Sequence, residues 1–248
     1  MTDPPWTNAE DEKQPVRVVV WDEQQPEQRE TYGCFLGEAL AEHLSNQPGL
    51  LVKSARLADP EGGLGQETLD ENEVMIWWGH RKHLRVSTKQ GQAIVERIKS
   101  GRLSLIALHS AHWSVPFVEA MRERTRQDAR QRFPETNDRS VKFDFVPPPS
   151  RFTVPARGSA VTPIYHAYRQ SRDAIRVRVD MPGCCFPDYR VDGQPSAITV
   201  LKRDHPIAAG LPKTFKIAQS EMYSEPFHVP DPDEVILKES WESGDWFR

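Results

Sequence analysis

The sequence predicts an α/β fold in three layers, with helices on both faces of a mainly parallel sheet. Three short apolar segments support this prediction, namely Val16–Trp21, Val74–Trp78 and Leu103–Leu108. Each lacks the alternation of polar and apolar residues, which is typical of strands buried on both faces of a parallel sheet. Each is also followed at once by polar residues, so the three strands are expected to end at the same polar edge.

Residues 74–116 form the unit around which the other elements are predicted to assemble. Between its two apolar segments, residues 86–100 place Ile94, Val95 and Ile98 at helical spacing. The unit is therefore interpreted as strand, helix and strand, and such a crossover between parallel strands is right-handed in nearly all proteins.

The remaining elements of the first half follow from local pattern. Residues 1–15 are acidic and polar, and we expect a disordered lead-in. After the strand Val16–Trp21, residues Thr31–Leu44 predict an amphipathic helix, and Leu50–Ala55 predict a strand. The sequence GGLGQ at 62–66 is interpreted as a loop. It lacks the GxGxxG spacing of a dinucleotide fingerprint, so no nucleotide cofactor is expected.

The second half is less regular. A helix is predicted over Val115–Arg130, and residues 134–195 are interpreted as a proline-rich insertion or lid within a single domain that spans 16–248. Only one alternating strand, Ile175–Asp180, is predicted inside that insertion. Strands are then predicted at Ala197–Lys202, Phe215–Ala218 and Glu234–Lys238.

Composition excludes several functional classes. The chain has 248 residues, 38% of them hydrophobic, and a net charge of −4, so no basic surface indicates nucleic acid as a partner. No apolar run approaches the roughly 20 residues of a membrane span, and the N-terminus lacks the apolar core of a secretory signal. A cytoplasmic protein that does not bind a membrane is expected. The cysteines, Cys34, Cys184 and Cys185, make no disulfide framework.

Four of the eight histidines follow two of the predicted parallel strands. His80 and His83 come after the first, and His109 and His112 come after the second. Open α/β sheets bind ligands outside the carboxyl ends of their strands. The sequence therefore predicts a functional site at this edge, and the alternative for each histidine is a local bond to the backbone.

Two carboxylates are expected at the same edge. In the flavodoxin-like strand order 2-1-3-4-5, the first strand lies beside the third, which brings Asp22 and Glu23 toward His80 and His109. Two imidazoles and a carboxylate suit either a divalent metal such as zinc, with His80, His83 and His109 as ligands, or acid–base catalysis near neutral pH. The residues alone do not distinguish metal binding from acid–base catalysis.

Other side chains are weaker candidates. Ser110 follows a strand where related folds place a nucleophile, but the GxSxG glycines are missing, which favours a hydrogen-bonding or capping role. Glu221 is a candidate base, and Tyr223 lies beside it. His205 precedes Pro206 and a glycine turn, a pattern more typical of a structural corner.

Tryptophans beside polar groups suit the apolar face of a sugar. Trp78 and Trp113 are therefore candidates for substrate binding, and the other candidates for this role are His112, Tyr223, Asp22 and Glu23. Core packing explains Trp77 or Trp78 equally well, because alternation along a strand places the two side chains on opposite faces.

Several blocks of the sequence resemble the ThuA-like trehalose-utilisation family. They are VRVVVWDE, TYGCFLGEALAEHL, MIWWGHRKH, LIALHSAHWSVPF, HPIAAGLP and EMYSEPFHVPDPDEVI. They occur in the family's order and cover about half of the chain. The resemblance implies a class I glutamine amidotransferase-like, flavodoxin-like fold. It also implies that His109-Ser110 replaces the usual cysteine nucleophile, so glutaminase chemistry is not expected.

The resemblance also implies a role in carbohydrate catabolism. The expected substrate is trehalose or a related disaccharide, and the expected functional link is to a sugar dehydrogenase that makes 3-keto sugars. The carried-over positions are His80, His83, His109, Ser110, His112, His205, Glu221 and Tyr223. An enzyme is favoured, the alternative is a non-catalytic sugar-binding or regulatory module, and a homo-oligomer is expected. From the resemblance we expect residues 122–195 to be longer than the family's usual segment and the chain to end before the family's usual closing strand.

Overall fold

A computed structural model describes residues 14–150 and 152–248, and the predicted lead-in therefore falls almost wholly outside the described residues. Within them the chain divides into two compact units, one up to Pro116 and one from Phe117 onward. Whether 16–248 is a single domain stays a prediction. In the described part of the chain, no helix is long and apolar enough to cross a membrane.

The first unit is an α/β structure with a four-stranded parallel sheet. Its strands are β1 (Val16–Asp22), β2 (Leu50–Arg56), β3 (Val74–Trp78) and β4 (Ser104–Leu108). Its helices are α1 (Pro26–Tyr32), α2 (Leu36–Ser45), α3 (Gln66–Glu71) and α4 (Thr88–Lys99). The strand order is β2-β1-β3-β4, which agrees with the first four positions predicted. The three-layer, flavodoxin-like assignment stays a prediction.

The register aligns the ends of β1, β3 and β4. Asp22 of β1 pairs with Trp78 of β3, and Trp78 pairs with Leu108 of β4. The residues after these positions therefore leave the sheet at one edge, as the sequence predicted. Beneath that edge the rings of Trp21 and Trp77 stack with centroids 3.8 Å apart, and both side chains are buried. Trp77 is thus a core residue.

The prediction of one helix over Thr31–Leu44 is wrong, because this segment belongs to two helices, α1 and α2. Gly33 ends α1 with a φ of 73° and lies in the left-handed region, which residues with a Cβ rarely adopt. The helix α2 then begins at Leu36. The prediction of a loop at 62–66 is also incomplete. Pro60–Gly63 form a 3-10 turn, and α3 begins at Gln66.

The second unit contains most of the helix α5 (Val115–Arg132) and two sheets. One sheet has the order β5-β7-β6, and the other has the order β11-β10-β8-β9. The strands are β5 (Ser140–Val146), β6 (Ile164–Ser171), β7 (Ala174–Asp180), β8 (Asp188–Val200), β9 (Thr214–Ser224), β10 (Leu237–Ser240) and β11 (Trp246–Phe247).

The prediction that residues 134–195 hold a single strand is wrong. The predicted strand Ile175–Asp180 is present as part of β7, and it is flanked by β5 and β6. Val141, Phe143 and Phe145 alternate along β5, so the signal for this strand was present in the sequence. Its parallel pairing with β7 buries Val141, Val177 and Val179 in a separate core.

Candidate active site

The candidate site of the first unit is a histidine–serine–histidine cluster at the carboxyl ends of β3 and β4. Ser110 Oγ lies 2.6 Å from Nδ1 of His80 and 2.6 Å from Nδ1 of His109. The two imidazole rings are 5.8 Å apart between centroids and tilted by 57°. Ser110 is buried, whereas both histidines are exposed. One buried hydroxyl therefore joins two rings that come from loops 30 residues apart in the sequence.

The backbone conformation after β4 positions the side chains of His109 and Ser110. His109 has a φ of 50°, in the left-handed region, and it begins a 3-10 turn that runs from His109 to Trp113. A residue with a side chain adopts that conformation at a cost of about 1–3 kcal/mol, and such residues concentrate at functional sites. The sharp turn places Ser110 inward directly after an exposed His109, at the position where related folds keep a nucleophile.

The protons of the cluster are constrained by the single hydrogen of the hydroxyl. Ser110 can donate to Nδ1 of only one ring, and it must accept from an N–H at Nδ1 of the other. If both rings are neutral, the first carries its proton on Nε2, and the second has a lone pair on Nε2. The geometry therefore makes the two histidines chemically different, with one able to act as an acid and the other as a base.

Glu23 fixes the loop that carries His80. Its carboxylate is 2% exposed, and it accepts hydrogen bonds from Gln25 Nε2 at 2.6 Å, Arg81 N at 2.8 Å and Lys82 N at 2.9 Å. The Lys82 ammonium in turn donates to the backbone oxygen of Glu23 at 3.3 Å. Glu23 thus holds the residues on the C-terminal side of His80 against the end of β1.

Gly79 leaves room for the Glu23 carboxylate. A Cβ at this position would lie 3.2 Å from Glu23 Oε2 and 3.2 Å from Trp77 Nε1. Gly79 and Lys82 were not predicted from the sequence as residues of the site. The glycine directly before His80 was the available signal, but its meaning depends on a carboxylate 56 residues earlier in the chain.

Asp22 connects β1 to the helix α2. Its carboxylate accepts from Gln24 N and Gly37 N, each at 2.7 Å, and Gly37 has no Cβ that would collide with it. Burial raises the pKa of Asp22, and these two backbone hydrogen bonds oppose that rise. The contacts of Asp22 and Glu23 are with the chain itself, and their predicted role in substrate binding stays a prediction.

The other predicted residues of the first unit are mostly buried. His83 and His112 are both buried, at 4% and 9% exposure, and the His112 ring lies 4.8 Å from the ring of Trp113. Trp78 is half-buried at the end of β3. Their predicted roles in metal or substrate binding stay predictions.

The described residues do not form an evident metal site. Among residues 14–150 and 152–248, no group of three or more His, Cys, Asp or Glu side chains is arranged to hold a metal ion. The predicted ligands His80, His83 and His109 also differ in burial, because only His83 is buried. A zinc site with these three ligands stays a prediction.

The predicted residues Glu221 and Tyr223 lie together on β9 in the second unit. The Tyr223 hydroxyl donates to Glu221 Oε2 at 2.6 Å. Burial, followed by this hydrogen bond to a carboxylate, raises the pKa of Tyr223 well above its ordinary value. Three aromatic rings that were not predicted as site residues lie near Tyr223. The distances between ring centroids are 5.1 Å to Phe186, 6.4 Å to Tyr189 and 6.4 Å to Phe247.

His205 has the geometry of a structural corner. Its Nδ1 accepts from Ile207 N at 3.2 Å and caps the 3-10 turn Pro206–Ala208. Its Nε2 lies 3.6 Å from Glu234 Oε2. These contacts agree with the structural corner that the sequence pattern around His205 predicts.

The fold and the site together define an α/β protein that gathers imidazole, hydroxyl and carboxylate groups at the carboxyl ends of a parallel sheet. A family model described as ThuA, trehalose utilisation, matches residues 17–245, and the chain belongs to this family. A crystal structure of a ThuA-like protein from Bacteroides uniformis ATCC 8492 is similar in fold, with a TM-score of 0.50 and 15% sequence identity. The similarity covers 92% of this chain and 69% of that one. No curated protein matches the sequence.

Proposed function

We propose that the protein is an enzyme of carbohydrate catabolism that acts on trehalose or a related 3-keto disaccharide by acid–base chemistry. Family membership supports the carbohydrate class. The single observation that carries the chemistry is Ser110 Oγ at 2.6 Å from Nδ1 of both His80 and His109. Imidazoles titrate near neutral pH and are the commonest acid–base groups in enzymes.

The proposed mechanism uses the complementary proton states of the two rings. In a 3-keto sugar, the C–H bond next to the carbonyl is acidic. The ring with a lone pair on Nε2 removes that proton, and the C–H electron pair forms a C=C bond. The π pair of the carbonyl moves to its oxygen, which takes a proton from Nε2–H of the other ring. The Nδ1 proton of the first ring then passes to Ser110 Oγ, and the hydroxyl proton of Ser110 passes to Nδ1 of the other ring, which exchanges the roles of the rings. His80 and His109 are thus the proposed catalytic residues, with Ser110 between them.

The other predicted residues are given supporting roles. Glu221 is proposed as an additional base, and its hydrogen bond from Tyr223 orients one carboxylate oxygen. Trp78, His112 and Trp113 are proposed to contact the sugar. A class I glutamine amidotransferase-like, flavodoxin-like scaffold, a cytoplasmic location and a functional link to a sugar dehydrogenase are parts of the same proposal.

Turnover of trehalose and of 3-ketotrehalose by the purified protein tests the proposal. Replacing His109 with Ala should lower kcat by about 10²–10⁴, the usual contribution of a general acid or base. Ser110→Ala should lower kcat less than His109→Ala and change the pH profile, because the rings stay in place but lose their shared proton. His43→Ala is the matched control, since His43 is exposed at the end of α2. Near-UV circular dichroism checks that each variant is folded.

Two outcomes would contradict the proposal in different ways. A His109→Ala variant with the activity of the wild type would remove His109 from the chemistry. Saturable binding of both sugars without turnover by the wild type would favour the alternative, a non-catalytic sugar-binding or regulatory module.

A further inference from the structure

The strand β2 lies at one edge of the sheet of the first unit, and part of its backbone faces away from the sheet. The order β2-β1-β3-β4 gives β2 a single neighbour, β1. Val16 N donates to Gly49 O, and Leu57 N donates to Asp22 O, so the residues at both ends of β2 face β1. Successive residues of a strand direct their N–H and C=O groups to opposite sides. The residues that face away from β1 are therefore the alternate ones, Leu50, Val52 and Ser54.

The backbone available to a further strand is limited at both ends. Arg56 would be the next residue to face away, but its N–H donates to Asp59 Oδ2 at 2.8 Å and its C=O accepts from Asp59 N at 3.1 Å. On the other side, Pro48 has no N–H. The segment that can pair with another strand is therefore 50–54, and it is symmetric about Val52.

Open space lies along this edge. A cavity of about 550 Å³ and a cavity of about 390 Å³ are both lined by Lys53, Glu71 and Asn72, and all residues that line either cavity belong to the first unit. Leu51 lines the smaller cavity and is 55% exposed. An edge strand with free backbone groups and an exposed apolar side chain is a surface to which another strand can be added.

The charge of Lys53 restricts which pairing is possible. Lysines on edge strands commonly oppose the addition of another strand. The Lys53 ammonium lies 2.6 Å from Glu71 Oε2, so its charge is balanced within the chain. Like charges directly opposite each other on neighbouring strands are nevertheless destabilising. A favourable pairing therefore keeps Lys53 away from a second lysine.

We propose that a second copy of the chain pairs its own β2 with this edge, antiparallel and about a two-fold axis at Val52. Leu50 then faces Ser54 of the second copy, and the two copies of Val52 face each other. Each facing pair exchanges two hydrogen bonds, so every outward N–H and C=O group of the segment 50–54 gains a partner. The contact uses the same surface of both copies, as two-fold dimers do. It joins the two parallel sheets into one.

Other positions of the axis are less favourable. An axis at Lys53 would place the two lysines directly opposite each other. An axis at Leu51 would pair Ser54 with Pro48, which has no N–H to donate. With the axis at Val52, Lys53 instead faces the exposed Leu51 of the second copy, and the methylene groups of the lysine can cover it.

Sedimentation velocity of the purified protein over a wide range of concentrations tests the proposal. The wild type should show a reversible equilibrium between monomer and dimer. Leu51→Lys should raise the dissociation constant of the dimer by at least about tenfold, because it removes a covered apolar side chain and places a lysine opposite Lys53. Ile106→Lys is the matched control, since Ile106 is 47% exposed on β4, the other edge strand of the same sheet. It should dimerise as the wild type does, and near-UV circular dichroism checks that both variants are folded.

Amide hydrogen exchange of the wild type locates the contact without a substitution. The N–H groups of Val52 and Ser54 should exchange more slowly as the concentration of dimer rises. Those of Leu105 and Ala107 are the control, because Ser104 N donates to Glu73 O and the alternate residues of β4 therefore face away from β3. Their exchange should not depend on concentration.

Four results would overturn the proposal. They are a monomer at every concentration, a dimer that Leu51→Lys leaves intact, a dimer that Ile106→Lys disrupts equally, and a dimer in which the exchange of Val52 is unchanged. The inference does not use the proposed chemistry. Because these measurements involve neither sugar nor turnover, their failure is distinguishable from failure of the proposed catalytic function.

Discussion

Replacing Glu23 with Gln should destabilise the protein and loosen the loop that carries His80. Glu23 Oε1 accepts from Gln25 Nε2 and Arg81 N, and Oε2 accepts from Lys82 N. The amide of Gln can replace only one of these oxygens, so its NH₂ group must face a donor. The loss of one buried charge-assisted bond costs about 1–3 kcal/mol, and the remaining bonds lose the help of the negative charge. We expect the free energy of unfolding to fall by about 2–4 kcal/mol.

Urea denaturation measures this change, and Glu27→Gln is the matched control. Glu27 follows Glu23 by four residues, and its side chain is exposed and pairs with Arg81 at 3.0 Å. Exposed ion pairs contribute about 0–1 kcal/mol, so the control should change stability little. The two variants differ in the burial of the replaced carboxylate and in its hydrogen-bond partners, which include backbone N–H groups for Glu23 and the Arg81 guanidinium for Glu27. Equal stability of Glu23→Gln and the wild type, within about 0.5 kcal/mol, would refute the role assigned to Glu23.

Two further predictions concern pH and metal. Because burial holds the pKa of His228 below 6.5, the unfolded chain binds a proton that the folded chain excludes, and stability should fall as the pH drops below 6.5. In denaturation series from pH 8 to 5, the free energy of unfolding should fall less steeply for His228→Gln than for the wild type, with a difference of at most about 1.4 kcal/mol per pH unit. Equal slopes of stability against pH for the two proteins would contradict this prediction. The metal-assisted alternative predicts one zinc ion per chain by mass spectrometry and loss of turnover after chelation. Full turnover after chelation would reject that alternative and leave the acid–base proposal unaffected.

Three of the four parallel strands were predictable because their signal is local. The strands β1, β3 and β4 are short, largely apolar runs, and they differ from the predicted segments by at most one residue at an end. The prediction that each strand is buried on both faces is wrong for β4, where Ser104 and Ile106 are exposed, Ile106 at 47%. Strands without an apolar run gave weaker signals. Most of β6 is exposed, with Tyr168 at 55%, so it has no apolar run, and its place in a sheet depends on pairing with β7.

Three features could be predicted from the amino-acid sequence alone: the family, the parallel strands of the first unit, and the positions of His80 and His109 after neighbouring strands. Apolar runs and short polar motifs specify these features without knowledge of distant contacts. The bridge that Ser110 makes between the two rings and the hold of Glu23 on the loop of His80 appear only in the folded structure. The burial of His228, whose Nε2 has no hydrogen-bond partner among the described residues, also appears only there. Hydrogen bonds between residues 30 to 66 positions apart leave no periodic pattern in the sequence, because they depend on where folding places each backbone N–H group and each ring nitrogen.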